Sequence, residues 1–102
     1  MPLLITPHVD GATIRLGLTG DIDLETEPAL WDAVEKAVLA DGIALVVIDL
    51  AETTFMDCFG LSALIRGARL AADNGRQFRA VNAAGVALIV LQITGVAAVL
   101  LD

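Results

Sequence analysis

Residues that usually build catalytic and metal sites are scarce in this chain of 102 residues, which has one histidine, one cysteine and no tyrosine. His8 and Cys58 lie fifty residues apart, which is not a metal-ligand spacing, and neither belongs to a Ser/His/Asp pattern. No glycine-rich phosphate loop is present. A single cysteine allows no internal disulfide, which is typical of a reducing compartment. We therefore expect a cytoplasmic protein that is not an enzyme and holds no metal or cofactor.

Positive charge is also scarce, since six lysines and arginines stand against thirteen carboxylates and the net charge is −7. Nucleic-acid phosphates repel an acidic chain, so we expect no DNA or RNA binding. The two signs are segregated, because eleven of the thirteen acids lie at or before Asp57. The later bases form either a patch for an acidic partner or a solvated helix face. These bases are Arg66, Arg69, Arg76 and Arg79.

The length predicts one domain, residues 1–102, with an aliphatic core because aromatic residues make up only 4% of the chain. The first residues lack the basic and apolar regions of an export signal. No charged residue lies between Arg79 and Asp102. Because Gly85 and Gly95 interrupt this stretch, we predict no membrane span, but an apolar third helix that offers a surface for a homodimer.

Two strands are predicted at the start of the chain, over residues 3–9 and 13–19, joined by a turn at Asp10-Gly11. In the second strand, apolar and polar residues alternate, so one face is predicted to be buried and the other, with Arg15, exposed. Gly20-Asp21 is predicted to end this strand.

Two helices follow. Thr26 is the predicted N-cap of the first helix, Pro28 lies in its first turn, and Asp41-Gly42 closes it. The second begins near Asp57 and stops at Asn74-Gly75. Its predicted inner face consists of Leu61, Leu64, Ile65, Ala68 and Ala72, and its predicted outer face of Ser62, Arg66, Arg69 and Asp73.

The remaining segments complete an alternating pattern. Residues 44–50 form an apolar run typical of a central strand, and residues 77–81 predict a short one. A third helix is predicted from residues 82–84 to 95, followed by an ambiguous element over 96–101. This order predicts an α/β fold: a small mixed sheet of four to five strands with helices mostly packed on one face.

The strongest functional signal lies where the central strand meets the second helix. Residues 55–61 predict a short loop and a first helical turn, whose free amides and dipole suit an anion or phosphate. Cys58 lies at the tip of this turn, where it is either a reactive thiol or a small apolar filler. Phe59 either covers the edge of the core or, if exposed, is a binding anchor.

Three segments together resemble the sulphate transporter and anti-sigma factor antagonist (STAS) family. Residues 19–26 are similar to its Gly-Glu-Leu-Asp-hydrophobic-x-Thr segment. Residues 46–50 and 55–61 resemble the central signature, in which Asp-Leu and a spacer precede Asp-Ser-Ser/Thr-Gly-Leu. Residues 91–96 are similar to the late Leu-x-x-Thr-Gly-Leu piece. The resemblance therefore covers nearly the whole chain and implies a single STAS-like domain.

The resemblance implies a partner, an anti-sigma factor with a histidine-kinase-like ATPase fold, whose binding releases a sigma factor. In the family, this kinase phosphorylates the serine or threonine after the signature aspartate, which breaks the complex. Cys58 stands at that acceptor position, so we expect the usual phospho-switch to be absent. The residues predicted to contact the partner are Asp23, Asp57, Cys58, Phe59, Gly60, Ser62, Arg66 and Arg69.

Two other roles stay open. The chain could be a non-switching STAS subunit of a larger regulatory or lipid-transport assembly, which the apolar third helix favours. A small redox-sensing protein built on Cys58 is the third interpretation.

Overall fold

A computed structural model of the chain describes residues 2–83, which form a four-stranded sheet and two helices. The strands lie in the order β1-β2-β3-β4; β1 and β2 are antiparallel, and the later neighbours are parallel. The mixed α/β sheet predicted from the sequence is thereby confirmed. The predicted third helix, the last element and the homodimer surface lie outside the described residues. The elements are β1 Leu4–Asp10, β2 Thr13–Ile22, α1 Glu27–Leu39, β3 Leu45–Met56, α2 Cys58–Asp73 and β4 Gln77–Val81.

The hairpin of β1 and β2 follows the predicted alternation. Ile14, Leu16 and Leu18 are buried on one face of β2, whereas Arg15 on the other face is exposed. The predicted end of this strand at Gly20-Asp21 is wrong, because β2 continues to Ile22. The pairing register of β2 with β3 shifts between Gly20 and Asp21, and the two strands are paired again beyond this shift.

Strand β3 is also longer than predicted. The short loop expected after residue 50 does not exist, because β3 runs to Met56 and, across two register shifts, stays paired with β2 up to Ile22. Thr53, Thr54 and Phe55 are β-branched or aromatic residues that fit an extended strand. Asp49, expected at the strand end, therefore lies in the middle of β3, opposite Gly17 and Val81.

One core lies between the sheet and both helices. Helix α1 contributes Leu30, Val34 and Val38, which lie at helical spacing on one face and are fully buried. The predicted inner face of α2 is correct for Leu61 and Leu64 but wrong at its end, where Ala71 is buried and Ala72 exposed. The buried face of α2 also includes Gly67, which packs directly on α1: a Cβ at this position would lie 2.5 Å from Cγ1 of Val34.

The predicted cluster of four arginines is divided among different roles. The Arg76 guanidinium donates hydrogen bonds to the carbonyl oxygens of Val38 and Ala40, at the end of α1. A cation there is favoured by the helix dipole and satisfies carbonyls that have no intrahelical donor.

No helix among the described residues is long and apolar enough to cross a membrane.

Candidate partner-binding site

Both helices begin at the same edge of the sheet, where β2 and β3 end. Ile22 and Met56 are paired there, and the Asp57 amide donates a hydrogen bond to the Ile22 carbonyl at 3.0 Å. Helix α2 starts at the very next residue. The carboxyl ends of parallel strands are the usual place for binding sites in open α/β sheets.

Asp57 caps helix α2, as its position in the sequence predicts. Its Oδ1 accepts hydrogen bonds from the amides of Phe59 at 2.9 Å and Gly60 at 3.0 Å. Two of the four amide groups that have no intrahelical partner are thus satisfied. The backbone of Asp57 is extended, so the chain turns from strand to helix at this one residue.

Gly60 fixes how closely the first turn of α2 approaches β2. An ideal Cβ at this position would lie 2.2 Å from Ile22 Cγ2 and 2.8 Å from the Ile22 carbonyl oxygen. No side chain fits in that space, so glycine lets the helix start lie directly against the strand end. Gly60 itself is buried, so it fixes the position of its neighbours, and its predicted contact with a partner stays a prediction.

Cys58 and Phe59 are presented to solvent at this helix start. The thiol is free and exposed, and 52% of the Phe59 surface is accessible. Phe59 therefore does not cover the edge of the core. A large apolar side chain held on a rigid first turn is suited to insertion into a partner.

Asp23 lies in the loop that enters α1, at the same edge. Its Oδ1 accepts hydrogen bonds from the amides of Glu25 at 3.0 Å and Thr26 at 3.1 Å. Thr26 is the N-cap residue of α1, as predicted, but its side chain donates and accepts no capping hydrogen bond with the helix. Its hydroxyl instead donates to the Asp21 carbonyl at 2.9 Å and accepts from the Asp23 amide at 2.9 Å. These bonds shape the loop that holds Asp23 beside the start of α2.

Two threonine hydroxyls near Cys58 belong to strand β3. Thr53 donates to the Leu18 carbonyl at 3.2 Å, and Thr54 donates to the Asp21 carboxylate at 2.7 Å. The hydrogen bond from Thr54 lowers the pKa of the Asp21 carboxyl. Both hydroxyls therefore tie β3 to β2 and neither lies on the first turn of α2.

Ser62, Arg66 and Arg69 are exposed on α2, as predicted. Arg66 is nevertheless engaged within the molecule. Its guanidinium forms an ion pair with Glu27 and lies 4.5 Å from the centre of the Trp31 ring. A cation over an aromatic face is attracted to the ring, so Arg66 links α2 to α1.

A second polar cluster lies on β3, away from this edge. Asp49 accepts hydrogen bonds from Arg15 at 3.1 Å, the Ala51 amide at 3.0 Å and Asn82 at 2.9 Å. Partial burial raises the pKa of Asp49, but these hydrogen bonds together outweigh burial and lower it. Asn82 has a positive φ of 60°, which asparagine tolerates better than most residues.

The sequence did not predict two apolar residues that are exposed at this edge. Leu24 and Phe55 have 59% and 43% of their surface accessible. Leu24 lies between Asp23 and Glu25, and these acidic neighbours indicate a solvent-exposed segment from which its exposure could have been predicted. Phe55 could not be placed because the end of β3 was predicted as a loop.

Among residues 2–83, no group of three or more His, Cys, Asp or Glu side chains could hold a metal ion.

Comparison with families identifies one match over nearly the whole chain. The model described as "Mlab, STAS domain" matches residues 5–102. No curated protein sequence matches the chain significantly.

Solved structures share the fold. An anti-sigma factor antagonist from Mycobacterium paratuberculosis is 24% identical with a TM-score of 0.86, and the match covers 97% of this chain and 83% of that one. SpoIIAA of Bacillus, in its phosphorylated form, is 19% identical with a TM-score of 0.69 over 98% of this chain and 89% of that one. A murine anion transporter, solute carrier 26 family member A9, is 14% identical with a TM-score of 0.75, over 89% of this chain but 15% of its own.

Proposed function

This chain belongs to the STAS domain family, and we propose that it acts as an anti-sigma factor antagonist, as a single domain over residues 1–102. It binds an anti-sigma factor at the edge where β2 and β3 end and α2 begins, and this binding releases a sigma factor. The role is supported by the same fold in the anti-sigma factor antagonist from Mycobacterium paratuberculosis and in SpoIIAA, which is also described as an anti-sigma factor antagonist.

The observation that carries the proposal is the exposed first turn of α2. Cys58 and Phe59 are accessible there, while Asp57 and Gly60 fix the turn against Ile22. A rigid turn loses little conformational freedom on binding, so its exposed side chains are suited to recognise a protein.

Direct binding tests this role. The purified chain is titrated calorimetrically into each anti-sigma factor of the same organism, with and without the bound sigma factor. We expect one anti-sigma factor to bind and its sigma factor to be displaced. Phe59→Ala should weaken binding by about tenfold or more, as truncation of an apolar anchor does. Leu39→Ala is the matched control, because Leu39 is 49% exposed at the far end of α1. Binding to no anti-sigma factor would exclude the role.

We further propose that this antagonist lacks the usual phospho-switch. A thiol occupies the acceptor position, and the nearby hydroxyls of Thr53 and Thr54 are bonded within the sheet. A phosphate of nearly two negative charges would be stabilised at the start of α2 yet would block docking there. Without it, the complex with a kinase-type anti-sigma factor persists when ATP is present.

Restoring a hydroxyl tests the absence of the switch. Wild type and Cys58→Ser are incubated with the bound anti-sigma factor and ATP, then followed by intact mass and by complex stability. We expect phosphate on Cys58→Ser alone, with loss of only its complex. Phosphorylation of the wild type would contradict the proposal.

A second candidate function is a non-switching subunit of a larger regulatory or lipid-transport assembly. Two observations favour it: the thiol at residue 58, and the presence of this fold as one part of an anion transporter. Affinity purification of the tagged chain from native membranes separates the candidates. A stoichiometric complex with transporter components, together with no binding to any anti-sigma factor, would favour the second.

A further inference from the structure

We propose that the docking edge selects a partner surface in which lysines and arginines surround an apolar recess. The proposal rests on the function proposed above and specifies the chemistry of the partner. We call the surface the apolar–acidic edge and define it by three apolar side chains, Leu24, Phe55 and Phe59, and by the carboxylates of residues 19–27 and 51–60.

The apolar part of this edge is concentrated around one strand pair. Leu24, Phe55 and Phe59 all lie within three residues of the paired Ile22 and Met56. Between 43% and 59% of the surface of each is accessible, so each gains burial when a partner covers it. A cluster of large exposed apolar side chains marks a protein interaction site more often than scattered single residues do.

The charged part of this edge has one sign. Residues 19–27 and 51–60 contain six carboxylates and no lysine or arginine. The base nearest to them on α2, Arg66, is already paired with Glu27 and Trp31. Asp21 and Glu27 are not counted as charge available to a partner, because Thr54 and Arg66 bond them within the molecule. The negative field around the apolar side chains comes from the other four carboxylates of these segments. The six carboxylates belong to Asp21, Asp23, Glu25, Glu27, Glu52 and Asp57.

This field decides between possible occupants. Nucleic acids and anionic membranes carry negative charge and are repelled. A second copy docked through the same edge would bring like charges together, which costs binding free energy. A protein with basic residues around an apolar recess has both complementary features, and opposite charge also raises its association rate.

The first test uses the anti-sigma factor identified by calorimetry. We expect Leu24→Ala and Phe59→Ala to weaken binding by about tenfold, mainly through faster dissociation. Glu25→Lys and Glu52→Lys should slow association, and the wild-type rate should fall as salt rises from about 0.05 M to about 0.5 M. The matched controls are Leu39→Ala and Asp41→Lys, whose residues are exposed at the opposite end of the fold. Strong binding that is indifferent to all four edge substitutions would overturn the proposal while leaving the proposed function intact.

A second test needs no anti-sigma factor. Two helical peptides of about 20 residues, one of leucine and lysine and one of leucine and glutamate, are titrated into the labelled full-length chain and followed by amide NMR. We expect the lysine peptide to shift amides of residues 21–25 and 55–60, with high salt or Phe59→Ala reducing the shifts. Equal shifts with both peptides, or shifts centred elsewhere, would overturn the proposal. So would sedimentation showing a dimer that Phe59→Ala dissociates, because the edge would then bind a second copy.

Discussion

Gly60→Ala is the substitution that most directly tests how the docking edge is built. In an ordinary helix interior, alanine is favoured over glycine by about 1 kcal/mol. At this position, however, the added methyl would lie 2.2 Å from Ile22 Cγ2 and 2.8 Å from the Ile22 carbonyl oxygen. The carbonyl belongs to the backbone of β2 and cannot turn away as a side chain can. The start of α2 must therefore move away from the sheet.

The cost of this movement exceeds the gain in helix propensity. Overpacking of a well-packed core costs about 1–3 kcal/mol, and the contact with a backbone atom places this site at the upper end. Separation of α2 from β2 also weakens the Asp57–Ile22 backbone hydrogen bond, which contributes about 1 kcal/mol. We expect a net loss of about 3 kcal/mol in the free energy of unfolding, which lowers Tm by at least about 10 °C.

Urea and thermal unfolding followed by circular dichroism measure this loss. Gly17→Ala is the control, because a Cβ at Gly17 meets its nearest atom at an ordinary 3.7 Å and should change stability little. Ile22→Ala removes the Cγ2 contact, so it should cost less in the Gly60→Ala background than in the wild type, by about 0.5 kcal/mol or more. A Gly60→Ala protein as stable as the wild type would refute the close packing of α2 on β2.

Three further predictions concern individual interactions. Asp57→Ala removes the cap of α2 and should cost about 1 kcal/mol of unfolding free energy, whereas Asp57→Asn, which keeps an acceptor oxygen, should cost clearly less; equal unfolding midpoints for both would contradict the capping role. Arg76→Ala leaves the Val38 and Ala40 carbonyls without their donor and should lower the free energy of unfolding by about 1–2 kcal/mol in urea. Arg69→Ala, on the exposed face of α2, should change it little. Similar losses for both variants would contradict the role of Arg76 at the end of α1. Because the pKa of Asp49 is lower in the folded state, the folded chain binds fewer protons at this carboxyl than the unfolded chain does. The resulting stabilisation is complete above the unfolded pKa of about 3.9 and is lost as pH falls through the folded pKa. When the urea midpoint is measured against pH in the acid range, its slope should be smaller for Asp49→Asn, and an unchanged slope would contradict the stabilising role of the Asp49 cluster.

Most of the fold followed from local signals in the sequence. Alternation placed β1 and β2, and the start of α2 was predicted near Asp57, the residue that directly precedes the helix. The ends of β2 and β3 were missed because they depend on each other. Gly20-Asp21 ends a strand when considered alone, but β3 continues beside it and supplies hydrogen-bond partners past the irregularity.

Only part of the candidate site could be predicted, because some of its features depend on contacts between residues distant in the chain. Cys58, Phe59 and Asp57 were correctly placed at the helix start, because a cap and a first turn are contiguous in the chain. The pairing of Arg66 with Glu27 spans 39 residues and the exposure of Phe55 depends on strand length, so neither leaves a local signal. Tertiary contacts of this kind decide which charged residues remain available to a partner.

Hydrogen–deuterium exchange of the complex tests the central claim most directly. The chain is mixed with the anti-sigma factor that it binds, and amide exchange is compared with that of the free chain. The account predicts slower exchange at residues 23–25 and 55–62, with little change in the turn between β1 and β2. Protection confined to that turn, or unaltered exchange at residues 55–62 in a formed complex, would contradict it.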